Sequence, residues 1–400
     1  MKSEWTYRPL GELVSFASGG TPSKKRDDYW GGTIPWISAK TLKTENIDTS
    51  DLFITEEGLK AGSKIAPKGS ILLLTRGSGL FNGIPIARVE KDVAFNQDIK
   101  CLDSYGEVEN EFIFYWLLSQ KDYLMAKVGV TGIGAGKFDL DFLQKLMIPI
   151  PSERERKSIV GFASSISEKI RCNAKVNDNL EQQAVALFKS WFVDFSLFGG
   201  TVPENWEDTT LENITTLITR GIAPKYSDNS DQTVVNQKCI RNHTIDLSLA
   251  RTHTPKAINE KWLKFGDLLI NSTGDGTLGR VAQVWFTPKA LTVDSHVTIV
   301  RPAREELIFY IGLWGILHEK EIESLHTGST GQTELPRDRV KMLKLLLPDD
   351  SSLSRFNSII APMASTIISN QEENQKLASL KDTLLPKLMS GEIDVSNIQL

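Results

Sequence analysis

Several stretches of this chain carry residue types that could do chemistry, and each fails on its spacing or context. "GDGTLG" (274–279) fits a dinucleotide-binding glycine fingerprint and follows a strand-like run, Leu268 to Ile270. That chemistry needs a helix next, so that its N-terminus can hold a pyrophosphate. "RVAQVWF" (280–286) alternates like a strand instead. "GVTGIGAGK" (129–137) hints at a phosphate loop. Its first Gly would have to stand at Thr131, and Phe138 occupies the place of the magnesium-binding hydroxyl. "DIK" (98–100) could be half of a nuclease metal site, but it reads far better as a strand with alternating faces. The histidines, His243, His253, His296, His318 and His326, lack zinc-type spacing with cysteine. There is no nucleophile elbow around a serine, and no Pro-Pro pair of the kind with which amino-methyltransferases grip a flipped base. The residues point away from an enzyme.

The elements around these stretches are written twice. Trp5 and Leu10 open "WTYRPLGELVSFASGGTP", and Trp206 and Leu211 open "WEDTTLENITTLITRGIAP". Then "PKGSILLLTRGSG" (67–79) matches "KFGDLLINSTGDG" (264–276), and "VAFNQDIKCL" (93–102) matches "LTVDSHVTIV" (291–300). "TGIGAGKFDLDFLQKLMIPIP" (131–151) matches "TGSTGQTELPRDRVKMLKLLLP" (327–348), and "KSIV" (157–160) matches "NSII" (357–360). A period of about half the chain is the mark of an internal repeat. Landmarks agree more than identities do, so the halves share a scaffold and differ in their loops.

Each half has a mixed part, with short strands and Gly turns, followed by a helical one. Over about 152–192, Ile159, Phe162, Ile166, Ile170, Val176, Leu180, Ala184, Leu187 and Trp191 recur at helical spacing. Over about 351–389, Phe356, Ile360, Met363, Ile367, Leu377, Leu384 and Leu388 do the same. This predicts the seam of an antiparallel or bundled helix pair, each helix about 57 Å long. Pro149, Pro151 and Pro348 stop the strands before them. Asn173, Asn370 and Asn374 interrupt the seams, either as an exposed stretch or as a device that fixes register.

Composition sets the bounds. Four hundred residues, 40% apolar and 24% charged, indicate two or three globular domains. The first residues lack an apolar signal core, apolar runs are too short to span a bilayer, and three scattered cysteines fit a reducing compartment. We therefore expect a cytoplasmic protein without membrane contact. The net charge is −4, and residues 1–150 and 201–348 each carry −1. Such a chain gains little from phosphates alone. A duplicated scaffold with divergent loops and a helical rod suits a two-headed reader of a long regular ligand such as DNA, which repeats about every 34 Å.

At this point the residues resemble a family. "ALFKSWFVDF" (186–195), "LLPKLMSGEIDV" (384–395), the Pro-containing helix starts and "TGSTGQTEL" (327–335) are similar to the specificity subunits of Type I restriction-modification systems. The resemblance spans essentially the whole chain. It departs at the helix starts, where "LLLPDDSSLSRFNSII" lacks the usual Pro-Pro-Leu and Glu-Gln and the first keeps only "IPIPSERERKSIV".

The resemblance implies an α+β fold in which two mixed α/β target-recognition domains alternate with two long helices. These pair as an antiparallel coiled-coil spacer, giving an internal pseudo-twofold repeat. The expected segments are recognition domain 1 at 1–150, central spacer helix at 151–200, recognition domain 2 at 201–348, and C-terminal spacer helix and tail at 349–400. The chain itself would be non-catalytic and bind no cofactor. Its partners would be double-stranded DNA, two methyltransferase subunits that supply S-adenosylmethionine, and ATP-using restriction subunits. A duplicated protein-binding scaffold or regulator is the alternative.

The loops that would face DNA can be named. In the first half they hold Thr21, Lys24, Lys25 and Arg26; Arg76, Ser78 and Asn82; and Lys137. In the second they hold Lys225; Lys238, Arg241, Asn242 and His243; Asn271, Thr273 and Arg280; and Gln332. Arg and Lys suit guanine edges or phosphate, and Asn and Gln suit adenine. "FKSWFVDF" (188–195) concentrates Phe188, Trp191, Phe192 and Phe195. Part of that cluster must close its own domain, and the surplus suits a partner interface.

Overall fold

A computed structural model describes residues 5–132, 134–274, 276–328 and 333–395. The chain divides into two compact units. The first holds residues 1–171 with 374–400, and the second holds 172–373. These units cut across the four linear segments, because each long helix is shared between them.

In the first unit, a sheet runs in the order Val14–Ser18, Ile99–Ser104, Ile71–Leu74, Ile86–Val89, Asn46–Ile47. Ile71–Leu74 is buried along its whole length, as a strand central to a sheet covered on both faces must be. Phe112, Ile113, Trp116 and Leu117, on the helix Asn110–Ser119, belong to the same buried core. A second sheet places Trp30–Ile37 parallel to Val93–Phe95. The strand Thr6–Pro9 pairs antiparallel with Met147–Ile150, Thr6 opposite Ile150.

In the second unit the sheet order is Thr215–Arg220, Val297–Pro302, Leu268–Asn271, Val281–Gln283. Leu268–Asn271 is the buried central strand. Thr233–Val235 runs parallel to Leu291–Val293, and Glu207–Thr210 pairs antiparallel with Lys344–Leu347. The first four strands of the first unit's sheet thus recur in order, as do its parallel pair and its closing pair. "GDGTLG" falls between two antiparallel strands, Leu268–Asn271 and Val281–Gln283, and its Asp275 lies outside the described residues.

The long helices are Glu153–Phe192 and Asp350–Met389, forty residues each. Both start on a cap that also holds a tryptophan. Ser152 and Glu155 form a capping box, with the Ser152 N–H donating to Glu155 Oε2 at 2.9 Å and the Glu155 N–H to Ser152 Oγ at 3.3 Å. Trp5 Nε1 donates to Glu155 Oε1 at 3.4 Å. Asp349 caps the second helix, accepting from the Ser352 N–H at 3.1 Å and the Ser352 hydroxyl at 2.7 Å. Trp206 Nε1 donates to Asp349 Oδ2 at 2.8 Å. The two tryptophans that mark the repeat therefore tie each half's first strand to a helix start.

The helix seam is apolar near its ends and polar between. Ile159, Ala163 and Ile166 are buried in the first unit, and Ile360, Ala364 and Ile367 in the second. Between them the amides bond across the helices. Asn173 Nδ2 donates to Glu373 at 2.7 Å, and Asn370 Nδ2 to Asn177 Oδ1 at 2.8 Å. Asn374 Nδ2 reaches the Ile170 carbonyl at 3.5 Å. As the residue number rises on one helix it falls on the other, so within each unit the helices run antiparallel. Asn173 and Asn177 are buried, whereas Val176, expected in the seam, is 45% exposed. A shifted register would strand these amides without partners, which favours the register-fixing reading of them.

Candidate nucleic-acid interface

Some of the loops named from sequence lie at the end of each central strand. In the first unit, Ile71–Leu74 leads into Arg76–Gly77, and a short turn, Ser78–Phe81, follows. Arg76–Gly77 pairs antiparallel with Gly136–Lys137, and Lys137 stands directly opposite Arg76. Gly129–Val130 adds a third strand. Arg76, Ser78, Asn82 and Lys137 are all exposed here, so the fold gathers residues sixty positions apart into one patch. Gly136 is required by the packing: a Cβ there would meet Leu80 Cβ at 2.9 Å and Val128 Cγ1 at 3.0 Å.

Thr21 reaches the same region. Its hydroxyl donates to Gln97 Oε1 at 2.7 Å, while the Arg76 N–H donates to the carbonyl of the adjacent Asp98. Lys24 and Lys25 are exposed on the loop before Asp27–Tyr29. Arg26 is committed locally. It forks onto Asp28 at 2.8 and 2.7 Å and lies over the Tyr29 ring, and the Asp28 carboxylate raises its pKa while its own falls in return. An already forked guanidinium must give up that bond to read a base, so Arg26 is the weakest of the first unit's candidates.

The second unit builds the corresponding place differently, and two expectations need correction. Asn271 is fully buried. Its Nδ2 donates to the Gln237 carbonyl at 3.0 Å, so it braces the loop from inside and cannot reach a ligand. Thr273 is half-buried in a polar relay, 2.7 Å from His296 Nδ1 and 3.2 Å from Gln237 Oε1. Arg280 is half-buried. Gln237 and His296 are the polar groups that the sequence did not single out. The signal was available, because "DSHV" (294–297) matches "NQDI" (96–99) in the repeat. Gln332 lies outside the described residues.

Lys238 and Lys225 are exposed on separate loops. Arg241, Asn242 and His243 belong to a two-residue hairpin between Ile240–Arg241 and Thr244–Ile245. Asn242 and His243 carry φ of 49° and 59°, the twin left-handed conformation of a type I′ turn. The tip is exposed, and His243 Nε2 sits 3.4 Å from Glu319. Burial pushes the Glu319 carboxyl up, but the bonds from His243 and the Val281 N–H outweigh it and hold the carboxyl below its ordinary value. On the neighbouring strand of Thr233–Val235, the Arg251 guanidinium stacks 3.6 Å from the Tyr226 ring centre.

The aromatic cluster is also corrected. Phe188, Trp191 and Phe192 are 1%, 6% and 7% exposed and lie in the second unit's core. Phe192 sits 4.8 Å from Phe356, 5.1 Å from Tyr310 and 5.5 Å from Trp206, while Phe195 is half-buried against Trp206 at 6.1 Å. The surplus of aromatics closes the unit rather than facing a partner, because the helix end meets Trp206 and a second helix at once. Among the described residues no cluster of three or more His, Cys, Asp or Glu side chains is set to hold a metal, and no helix is long and apolar enough to cross a membrane.

A repeated sheet scaffold with polar, divergent loops at matching strand ends, joined to two long helices, defines a class of duplicated modular α+β proteins. Comparison with known proteins makes this specific. The family described as the Type I restriction modification DNA specificity domain matches residues 2–182. The chain is similar to the MjaIX specificity subunit of Methanocaldococcus jannaschii, with 27% identity over 99% of this chain and 95% of that one. It is similar to the EcoR124I/EcoR124II specificity subunit of Escherichia coli, with 31% identity over 40% of each chain. Its fold is that of the Type I S subunit from M. genitalium, with 17% identity, a TM-score of 0.57 and 96% of both chains covered. Residues 2–182 thus carry the Type I restriction modification DNA specificity domain, and over nearly its whole length the chain is similar to the specificity subunit of a Type I restriction enzyme.

Proposed function

We propose that each unit contains one target-recognition domain, and that each such domain reads one half of a bipartite, asymmetric site in double-stranded DNA. On this reading the chain is divided as 1–150, 151–200, 201–348 and 349–400. The helix pair is an antiparallel coiled-coil spacer that relates the two readers by a pseudo-twofold repeat and sets the unspecified gap. The chain carries no reaction of its own. It docks two methyltransferase subunits, and restriction subunits join the full complex in the cytoplasm.

The observation that supports this most is the recurrence of one sheet order in both units with different chemistry at the end of the central strand. A shared scaffold would present each reader in the same way, and unlike loops would read unlike half-sites. The relatives' names, as specificity subunits of Type I restriction enzymes, agree with it.

Matched four-residue insertions after Asn179 and after Thr366 test the spacer. Each adds about 6 Å of helix, close to two base pairs at 3.4 Å per pair. Methylome sequencing of a strain carrying the variant with its methyltransferase subunits should show both half-sites unchanged and the gap longer by one or two pairs. A folded variant that methylates sites with the original gap, or reads new bases inside a half-site, overturns the ruler.

A further inference from the structure

The turn after Arg76 carries a residue that no phosphate interaction explains. Ser78–Phe81 packs on Gly136–Lys137, with Leu80 fully buried. The next residue, Phe81, then faces outward, 44% exposed. Val130, 69% exposed, lies on the same three-stranded ribbon. Around them Arg76 and Lys137 face each other across the strands, and neither has an ion-pair partner among the described residues. Like charges directly opposite on a ribbon are unfavourable, and an exposed phenylalanine gains nothing in water. Both features become favourable against a surface that is anionic along its rails and apolar between them.

The second unit supplies the contrast. Its turn between Leu268–Asn271 and Val281–Gln283 is shorter, and the leucine in it, Leu278, is buried and followed by Gly279 packed against Glu323. Phe81 therefore sits on the longer of the two matching turns.

We propose that Phe81 is a specificity-determining residue of the first reader, packing on the C5-methyl group of a thymine in the major groove while Arg76 and Lys137 hold the flanking phosphates. The methyl is the one apolar feature that base edges present there, and phenylalanine is among the side chains that pack on it. This inference rests on the DNA-reading function proposed above.

The test uses the complex assembled with its methyltransferase subunits and duplexes of the recognised sequence in which each thymine in turn is replaced by uracil, which lacks only the methyl. At one thymine, wild type should bind about five- to one-hundred-fold more weakly, the span set by a single base-edge interaction. Phe81→Ala should show the same weakening on the thymine duplex and no further weakening on the uracil duplex. Indifference of wild type to uracil at every position, or a recognised sequence without thymine, overturns the inference. The double variant Arg76→Ala/Lys137→Ala separates this from the underlying reading. It should bind more weakly with a shallower salt dependence, by about 0.9 in log–log slope for each phosphate that is no longer neutralised. If its affinity and slope match wild type, the patch does not face DNA and the reading of this surface fails with it.

Discussion

The two units place unlike chemistry on one strand order. After the first unit's central strand come exposed groups: Arg76 opposite Lys137, with Phe81 beyond them. After the second unit's central strand comes an internally bonded relay of Asn271, Gln237, Thr273 and His296, and cationic reach is moved out to Lys238 and the Arg241 hairpin. The closures differ as well. The first unit seals its helix end with aliphatic groups, Leu385, Leu388, Met389 and Val395. The second uses Phe188, Trp191, Phe192, Trp206, Tyr310 and Phe356. A sheet core dictates its own pattern and tolerates little change, whereas turns beyond the last ladder bond answer only to solvent or ligand. Function can therefore diverge at the turns while the scaffold stays fixed.

The largest break in this comparison should come from the core. Phe188→Ala removes a ring packed against Phe192, Tyr310 and Phe356. It should destabilise the second unit by about 3–5 kcal/mol. Hydrogen exchange should show protection falling there first, with the sheet around Ile71–Leu74 less affected. Equal deprotection of both sheets would show that the units do not open separately.

The next effect concerns reading. Arg241→Ala should weaken recognition of one half-site by about 1–3 kcal/mol and leave the other half intact. Methylome sequencing checks this. Relaxation confined to the half-site that Phe81→Ala alters would show that both residues serve one reader.

A smaller effect lies at the helix caps. The Ser352 hydroxyl, its N–H and the Trp206 indole hold the Asp349 carboxyl below its ordinary value. A carboxyl depressed on folding stabilises the protein above its unfolded pKa of about 4, and this stabilisation disappears as pH falls through the lower folded value. Asp349→Asn keeps a capping side chain but removes the titration, so the second unit should be less stable by about 1 kcal/mol at most at neutral pH. Its stability should also fall less steeply below about pH 4 than that of wild type. Chemical denaturation at pH 7 and at about pH 3.5 measures both, and an unchanged acid dependence would dismiss the Asp349 contribution.

The smallest concerns the hairpin tip. Asn242→Gly should leave stability within a few tenths of a kcal/mol, since φ of 49° suits glycine, while Asn242→Ala should cost about 1 kcal/mol. If Asn242→Gly nevertheless relaxes base preference in the second half-site, the side chain reads DNA. If it does not, Asn242 only shapes the turn that presents Arg241.

Much of the fold was legible because it repeats. The order of Trp, short apolar strand, Gly-rich loop, second strand-like stretch and long helix could be read from matched landmarks, and the long helices fall within two residues of their expected bounds. Periodicity determines such elements, since it records which face each residue must bury. It also marked Ser78 and Asn82 as loop residues, whereas Arg76 and Lys137, expected in loops, stand in short paired strands. It could not tell that Lys137 comes to lie opposite Arg76, because strand register is settled by pairing partners distant in the chain. It could not tell an exposed amide from a buried brace, and so offered Asn271 beside Asn82. It could not assign the aromatics of "FKSWFVDF", whose surplus is explained only when Trp206, Tyr310 and Phe356 arrive around them. Local sequence determines which elements form and which residues are polar; long-range packing decides which polar groups satisfy one another inside and which are left to meet a ligand.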